Sequence, residues 1–240
     1  MYIKQQERVS LEWLNVRAEK MENKFSRQRR NFLKKHLFLG TFVAAEWLLP
    51  SRSYSNCNLT PRESAGPFYP LNYPSDQDND LTYLKDKSKK ANGEIIYING
   101  IVQDDNCQPI SKAIIEIWQA CSTGRYNHPE DRNPAELDPN FQYWGKAVTN
   151  VHGEYRFKTI KPGSYPASWF WTRPPHKHFT VRSSKHSELT TQMYFSGEPL
   201  NNKDRLLQNF SKKEREKCIV SFYKNKNQQS GQFNLTLKRQ

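Results

Sequence analysis

The four cysteines of this 240-residue chain include no C-x-x-C pair, which removes the usual thiolate zinc sites. No apolar run is comfortable as a membrane span. The best one, HLFLGTFVAAEWLLP from His36, is short and is interrupted by Glu46. There is no internal repeat, so solenoids and propellers are set aside. The formal charge is +13, yet no stripe of Lys and Arg interleaved with aromatics appears outside the C-terminal third. The runs there, such as Lys212 to Lys217, mix both signs and read as a solvated face. Nucleic acid is therefore not an expected partner, and the charge of the body suits attraction of an anionic small substrate equally well.

What is present begins at the N-terminus. Residues 1–55 hold 11 of the 37 Lys/Arg against 5 of the 24 Asp/Glu. Within them Arg29-Arg30-Asn31-Phe32-Leu33-Lys34 precedes the apolar segment, and Ser53-Tyr54-Ser55 follows as a cleavage point. This order is similar to a twin-arginine export signal, with Met21 an alternative start, and it places the mature chain in the periplasm or outside the cell. No stable membrane insertion of the mature chain is expected, and Tyr54-Ser55-Asn56 before Cys57 is a poor lipoprotein box. An exported chain with Cys57, Cys107, Cys121 and Cys218 permits one or two disulfides, with the pairing open.

Residues 56–93 are rich in Pro and Asp with little periodicity and read as an arm or loop. Residues 94–240 carry short β-rich runs between turn residues: EIIYINGIVQ, AIIEIWQA, GEYRFKTI, HKHFTVRS, LTTQMYF, KCIVSFYK and GQFNLTL. That rhythm predicts an all-β fold, an antiparallel β-sandwich of the Ig-like or prealbumin-like kind. Its open edges favour homo-oligomers. The insert from Cys121 to Lys146 breaks the rhythm, and a helical turn is expected near Lys203 to Phe210. The series running from Gly100 through Gly153-Glu-Tyr-Arg-Phe to Lys161-Pro-Gly-Ser-Tyr165 also resembles a generic prealbumin-like module, in which Tyr155 and Tyr165 are plain strand aromatics. A non-catalytic module that binds a metal or surface ligand is thus the competing reading.

In RPPHKHF, Arg173 to Phe179, the two histidines stand at i and i+2. In a strand His176 and His178 share one face, with Lys177 opposite. Neutral imidazole ligates zinc, copper and iron, although an H-x-H pair alone is more often a solvated strand face. A cupin would need a glutamate a few residues on, where Thr180, Val181, Arg182 and Ser183 stand instead.

Other motifs join the pair in order: Gly66-Pro67-Phe68-Tyr69-Pro70, Gly124-Arg125-Tyr126, Pro162-Gly163-Ser164-Tyr165-Pro166 and Leu189-Thr190-Thr191-Gln192-Met193-Tyr194-Phe195. Together these resemble the intradiol ring-cleavage dioxygenases, from about Cys57 to the C-terminus. The resemblance implies a non-haem Fe(III) centre ligated by Tyr126, Tyr165, His176 and His178, with Tyr126 and His176 equatorial. It further implies a small aromatic diol and O2 as substrates. The ring bond between the two hydroxylated carbons is cut to give a cis,cis-muconate-type product. Tyr165 takes a substrate proton, Arg173 supplies a permanent cation for charge on the ring, and Gln192 bonds near the substrate or holds Arg173. Two tyrosines in one ligand set favour ferric iron over zinc or copper.

The remaining histidines are not expected to bind iron. His128 is a neighbour of the site at most, His152 lies in a hairpin turn, His186 in a polar loop and His36 in the signal. No long helical dimerisation segment precedes the motifs, which makes the layout more similar to protocatechuate-type subunits than to catechol-type ones. Arg62 and Arg125 are weak candidates for a substrate carboxylate. Trp169 and Trp171 either wall the pocket or join the core.

Overall fold

The computed structural model describes residues 56–226 and 228–240. The expected export signal in residues 1–55 lies outside them. Twelve strands are named in the described chain, in two five-stranded sheets and one hairpin. The first sheet is built on β1 (Ile95–Asp104), whose strict in-out burial follows its alternating sequence. β4 (Glu154–Ile160) pairs antiparallel with β1, while β11 (Gln228–Gln232) and β12 (Leu235–Leu237) pair parallel to it in succession. β10 (Phe222–Asn225) closes the outer edge against β11. The second sheet runs in the order β3 (Trp144–Val148), β2 (Ile114–Trp118), β7 (His176–Arg182), β8 (Leu189–Phe195) and β9 (Ile219–Val220). The β8–β9 pair is also parallel, so the all-β sandwich is mostly, not wholly, antiparallel.

The core fills the space between the sheets. Ile98, Ile115, Ile117, Phe157, Phe179 and Val181 are fully buried there, each contributing about 1.5–3 kcal/mol. β7 differs from its neighbours because both of its faces are covered, from His176 to Val181. Its core face carries Lys177, Phe179 and Val181; its other face carries His176, His178 and Thr180. Lys177 is completely buried, and its ammonium donates to the Gln119 side chain and, at 2.7 Å, to the Ile160 carbonyl.

The segment before β1 is ordered along the sandwich. Its main-chain N–H groups at Cys57, Thr60, Glu63 and Leu81 donate to the carbonyls of Asp105, Thr236, Thr190 and Lys158. A disulfide joins Cys57 to Cys107, and Cys121 and Cys218 are buried free thiols. Two short helices follow β8, α1 (Arg205–Gln208) and α2 (Lys212–Cys218). Asp204 caps the first by accepting the Leu207 N–H, and Ser211 with Glu214 forms a capping box on the second. The expected helical turn near Lys203 is α1. Among the described residues no helix is long and apolar enough to cross a membrane.

Candidate metal centre

Backbone geometry brings the two motif tyrosines together. Gly124 sits at φ +86°, and a Cβ there would stand 2.2 Å from the Ser164 carbonyl oxygen. A Cβ on Gly163 would stand 2.6 Å from both the Gly124 nitrogen and the Ser122 oxygen. The G-R-Y and P-G-S-Y segments therefore cross backbone to backbone, which only glycine permits. Tyr126 is then fixed by its N–H, which donates to Asp131 Oδ2 at 2.6 Å. Tyr165 opens the hairpin of β5 (Tyr165–Ser168) and β6 (Trp171–Arg173), directly opposite Arg173 in register. The rings of Tyr126 and Tyr165 meet edge to face at 5.5 Å.

The histidines arrive from β7. His176 donates its Nδ1–H to the Pro174 carbonyl at 2.7 Å, so Nε2 carries the acceptor lone pair. His178 stacks on Trp118 at 4.9 Å and 12°. Tyr126 Oη lies 3.4 Å from His176 Nε2 and 3.2 Å from His178 Nε2. Tyr165 packs against His176 with ring centroids 5.6 Å apart. All four side chains are buried.

These spacings are long for strong hydrogen bonds but suit donors around one ion. Two atoms each about 2.1 Å from a common metal, seen from it at about 90–110°, stand about 3.0–3.4 Å apart. Burial first, then the Arg173 charge, pushes both histidines well below their ordinary value and keeps them neutral, as ligation requires. Burial raises both phenols, with Arg173 pulling Tyr165 back down. Such a phenol gives up its proton only to a strong local cation. Two phenols and two neutral imidazoles are the donor set a hard ferric ion takes, and the residues fit that group. Among the described residues no group of three or more His, Cys, Asp or Glu offers a rival metal site.

Arg173 is 4% exposed and held from four sides. Its Nε donates to Asp204 Oδ2 at 3.0 Å, its Nη2 to Gln192 Oε1 and the Tyr194 hydroxyl at 2.9 Å each, and its Nη1 to His176 Nε2 at 3.1 Å. Gln192 also donates to the Ser64 carbonyl at 3.0 Å, tying β8 to the arm. Glu63 adds a second carboxylate 3.8 Å from Arg173 and accepts from Tyr194. Burial pushes Glu63 up to about 7 in spite of Arg173.

The six residues singled out from sequence thus meet in one cluster. Asp204, Glu63, Tyr194, Trp118 and Asp131 were not anticipated. Tyr194 alone carried a signal, standing two residues after Gln192 on the same strand face. His128 packs on Phe68 and accepts the Glu130 N–H, while His152 lies at an exposed turn and His186 bonds Ser183. Arg62 donates to the Glu188 carbonyl and Arg125 to that of Ala135; neither lines the cavity beside the donors.

That cavity measures 550 Å³ and is walled by Tyr165, Arg173 and His178 at its base. Trp171 lines it, but Trp169 is 98% exposed and belongs neither to the wall nor to the core. A larger open groove of 1090 Å³ lies over β1, β4 and β10–β11 and contains none of the donors.

Comparison with known proteins agrees with this geometry. A family model described as Dioxygenase matches residues 64–239. The chain is 38% identical over 167 residues to the protocatechuate 3,4-dioxygenase beta chain of Burkholderia cepacia, covering 67% of this chain and 70% of that one. It is 30% identical over 156 residues to the catechol 1,2-dioxygenase of Acinetobacter baylyi, where it spans only 48% of the relative's length. In fold it is similar to the dioxygenase domain of a carbohydrate-binding fusion from Streptomyces sp. SirexAA-E. The TM-score is 0.59 at 24% identity, with 76% of this chain and all of that one covered. The 3-chlorocatechol 1,2-dioxygenase of Rhodococcus opacus gives a TM-score of 0.62 at 21% identity, over 75% and 73% of the two chains.

Proposed function

The chain belongs to the intradiol ring-cleavage dioxygenase family, and from that premise we propose that it is a non-haem ferric enzyme. It cleaves the bond between the hydroxylated carbons of a catechol-type substrate with O2, giving a cis,cis-muconate-type product. The observation that carries this is the convergence of Tyr126, Tyr165, His176 and His178 beside a buried Arg173. A bare metal-binding module has no use for that guanidinium, which leaves the non-catalytic reading without support.

The four donors would hold the ion, and the chemistry a bound ferric ion supplies is Lewis acidity toward phenols and diols. The protein's own contributions follow from its side chains. Tyr165 Oη, at the base of the hairpin, would as the phenolate take a proton from the diol and become the neutral phenol. Arg173 stays charged at any working pH and sits where negative charge spreads over the substrate ring. Gln192, Asp204 and Tyr194 fix that cation so that no reorganisation is needed as charge develops. Phe68 packs on both tyrosines and, with Trp171, excludes water from the base of the cavity.

We assign residues 1–55 to an export signal, residues 56–93 to an arm and residues 94–240 to the catalytic sandwich, with the mature enzyme outside the cytoplasm. The first experiment is the visible spectrum of purified protein, read before and after catechol is added in air. A tyrosinate-to-iron charge-transfer band that shifts with the diol and precedes O2 uptake is the expected result. A colourless protein that takes up no iron on ferric reconstitution would return the chain to a binding module.

A further inference from the structure

The cavity is too large for one ring. An apolar cavity of about 150 Å³ holds a benzene-sized guest, whereas this one measures 550 Å³. Only its base is occupied by the donors and Arg173. The rest of the lining has an apolar part, with Pro166, Ala167 and Trp171 from the β5–β6 hairpin, Pro134 from the insert and Leu206 from α1, beside the charged Glu130 and Arg132. Resting on the proposed dioxygenase reading, we infer that this outer chamber is a second-ring subsite. The substrate class is then an ortho-diol carried on a larger aromatic body, such as a two-ring phenolic.

Two observations beside the volume carry the inference. Trp171 is held by two cations, with Arg173 5.5 Å and Arg205 5.6 Å from its ring centre, so this wall of the chamber is fixed. In the turn of the same hairpin Trp169 and Phe170 are 98% and 91% exposed, so the hairpin carries further aromatic surface.

The test compares 4-phenylcatechol with catechol. Binding is read from quenching of tryptophan fluorescence without O2, and turnover from O2 uptake by the iron-loaded enzyme. The wild type should bind 4-phenylcatechol about tenfold or more tightly than catechol. Ala167→Trp fills the chamber and Trp171→Ala removes its wall; each should bring the ratio of the two dissociation constants close to one. Ala167 is exposed on the hairpin, so the first variant strains no core packing, and the second changes size in the opposite direction. Equal affinity for the two diols in the wild type overturns the inference, as does a preference that survives both substitutions. So does a result in which the hairpin variants alter only the oligomeric state, which would give the aromatic tip to a second copy of the chain. Failure to consume catechol at all would instead sink the dioxygenase reading, and the fluorescence ratio would still be readable.

Discussion

The two faces of β7 bury polar groups in opposite ways. On the core face Lys177 is enclosed completely, yet its ammonium has the Ile160 carbonyl and the Gln119 side chain to bond. Burial pushes it well below the usual lysine value, and the cost is met locally. On the other face His176, His178 and Tyr126 are equally buried, but their donor atoms stand 3.2–3.4 Å apart and satisfy one another poorly. One face is closed between protein groups; the other leaves several donor atoms converging on one point. Burial of polar atoms marks a functional site when the atoms converge without settling among themselves.

Substitutions can sharpen that contrast. The largest effect is expected for Arg173→Ala, which should keep the iron chromophore while lowering kcat about 10²–10³-fold. Full turnover in that variant would remove the arginine from the mechanism. Next comes Asp204→Asn, which leaves the helix cap but not the charge that orients Arg173. Activity should fall about 10–100-fold with iron content unchanged, and an unchanged kcat/KM would make Asp204 a cap and nothing more.

Glu63 gives a pH test. Burial raises its carboxyl from 4.5 to about 7, so the folded state holds a proton the unfolded state has lost between those values. Its contribution to stability is therefore whole at low pH and declines as pH climbs to about 7, by on the order of 3 kcal/mol. Urea midpoints of Glu63→Gln should show a flatter decline over that window than the wild type; parallel curves would acquit Glu63. The smallest effect is expected on the core face. With Lys177→Met, Gln119 Oε1 keeps the Thr159 hydroxyl and the Ile160 carbonyl keeps Gln119 Nε2. Stability should then be unchanged or raised by about 1 kcal/mol, as thermal denaturation would record; a large loss would mean that the lysine organises the strand.

Much of this was legible beforehand because the determinants are local. Alternation in EIIYINGIVQ gives β1, and the motif tyrosines and histidines announce themselves by type and spacing. What stayed hidden depends on contacts across the sequence. Asp204 reads as an ordinary helix cap, and nothing near it says that a side chain 31 residues earlier will bind it. Glu63 sits in a turn-rich arm 131 residues from the tyrosine that bonds it. The parallel partners of β1 come from the last strands of the chain, where pairing direction is set by topology and not by local pattern. Lys177 was placed correctly on the opposite face, but sequence alternation alone could not say that this face is the core.

The bridge between Cys57 and Cys107 closes a loop 50 residues apart in sequence. A cross-link of that span removes chain entropy from the unfolded state worth about 4 kcal/mol. It is anchored at the root of the arm whose Glu63, Gly66 and Phe68 close over the donors. Thiol reductants in a preparation would therefore act on the cluster of donors from a distance, by loosening the strap over it and without touching a donor residue.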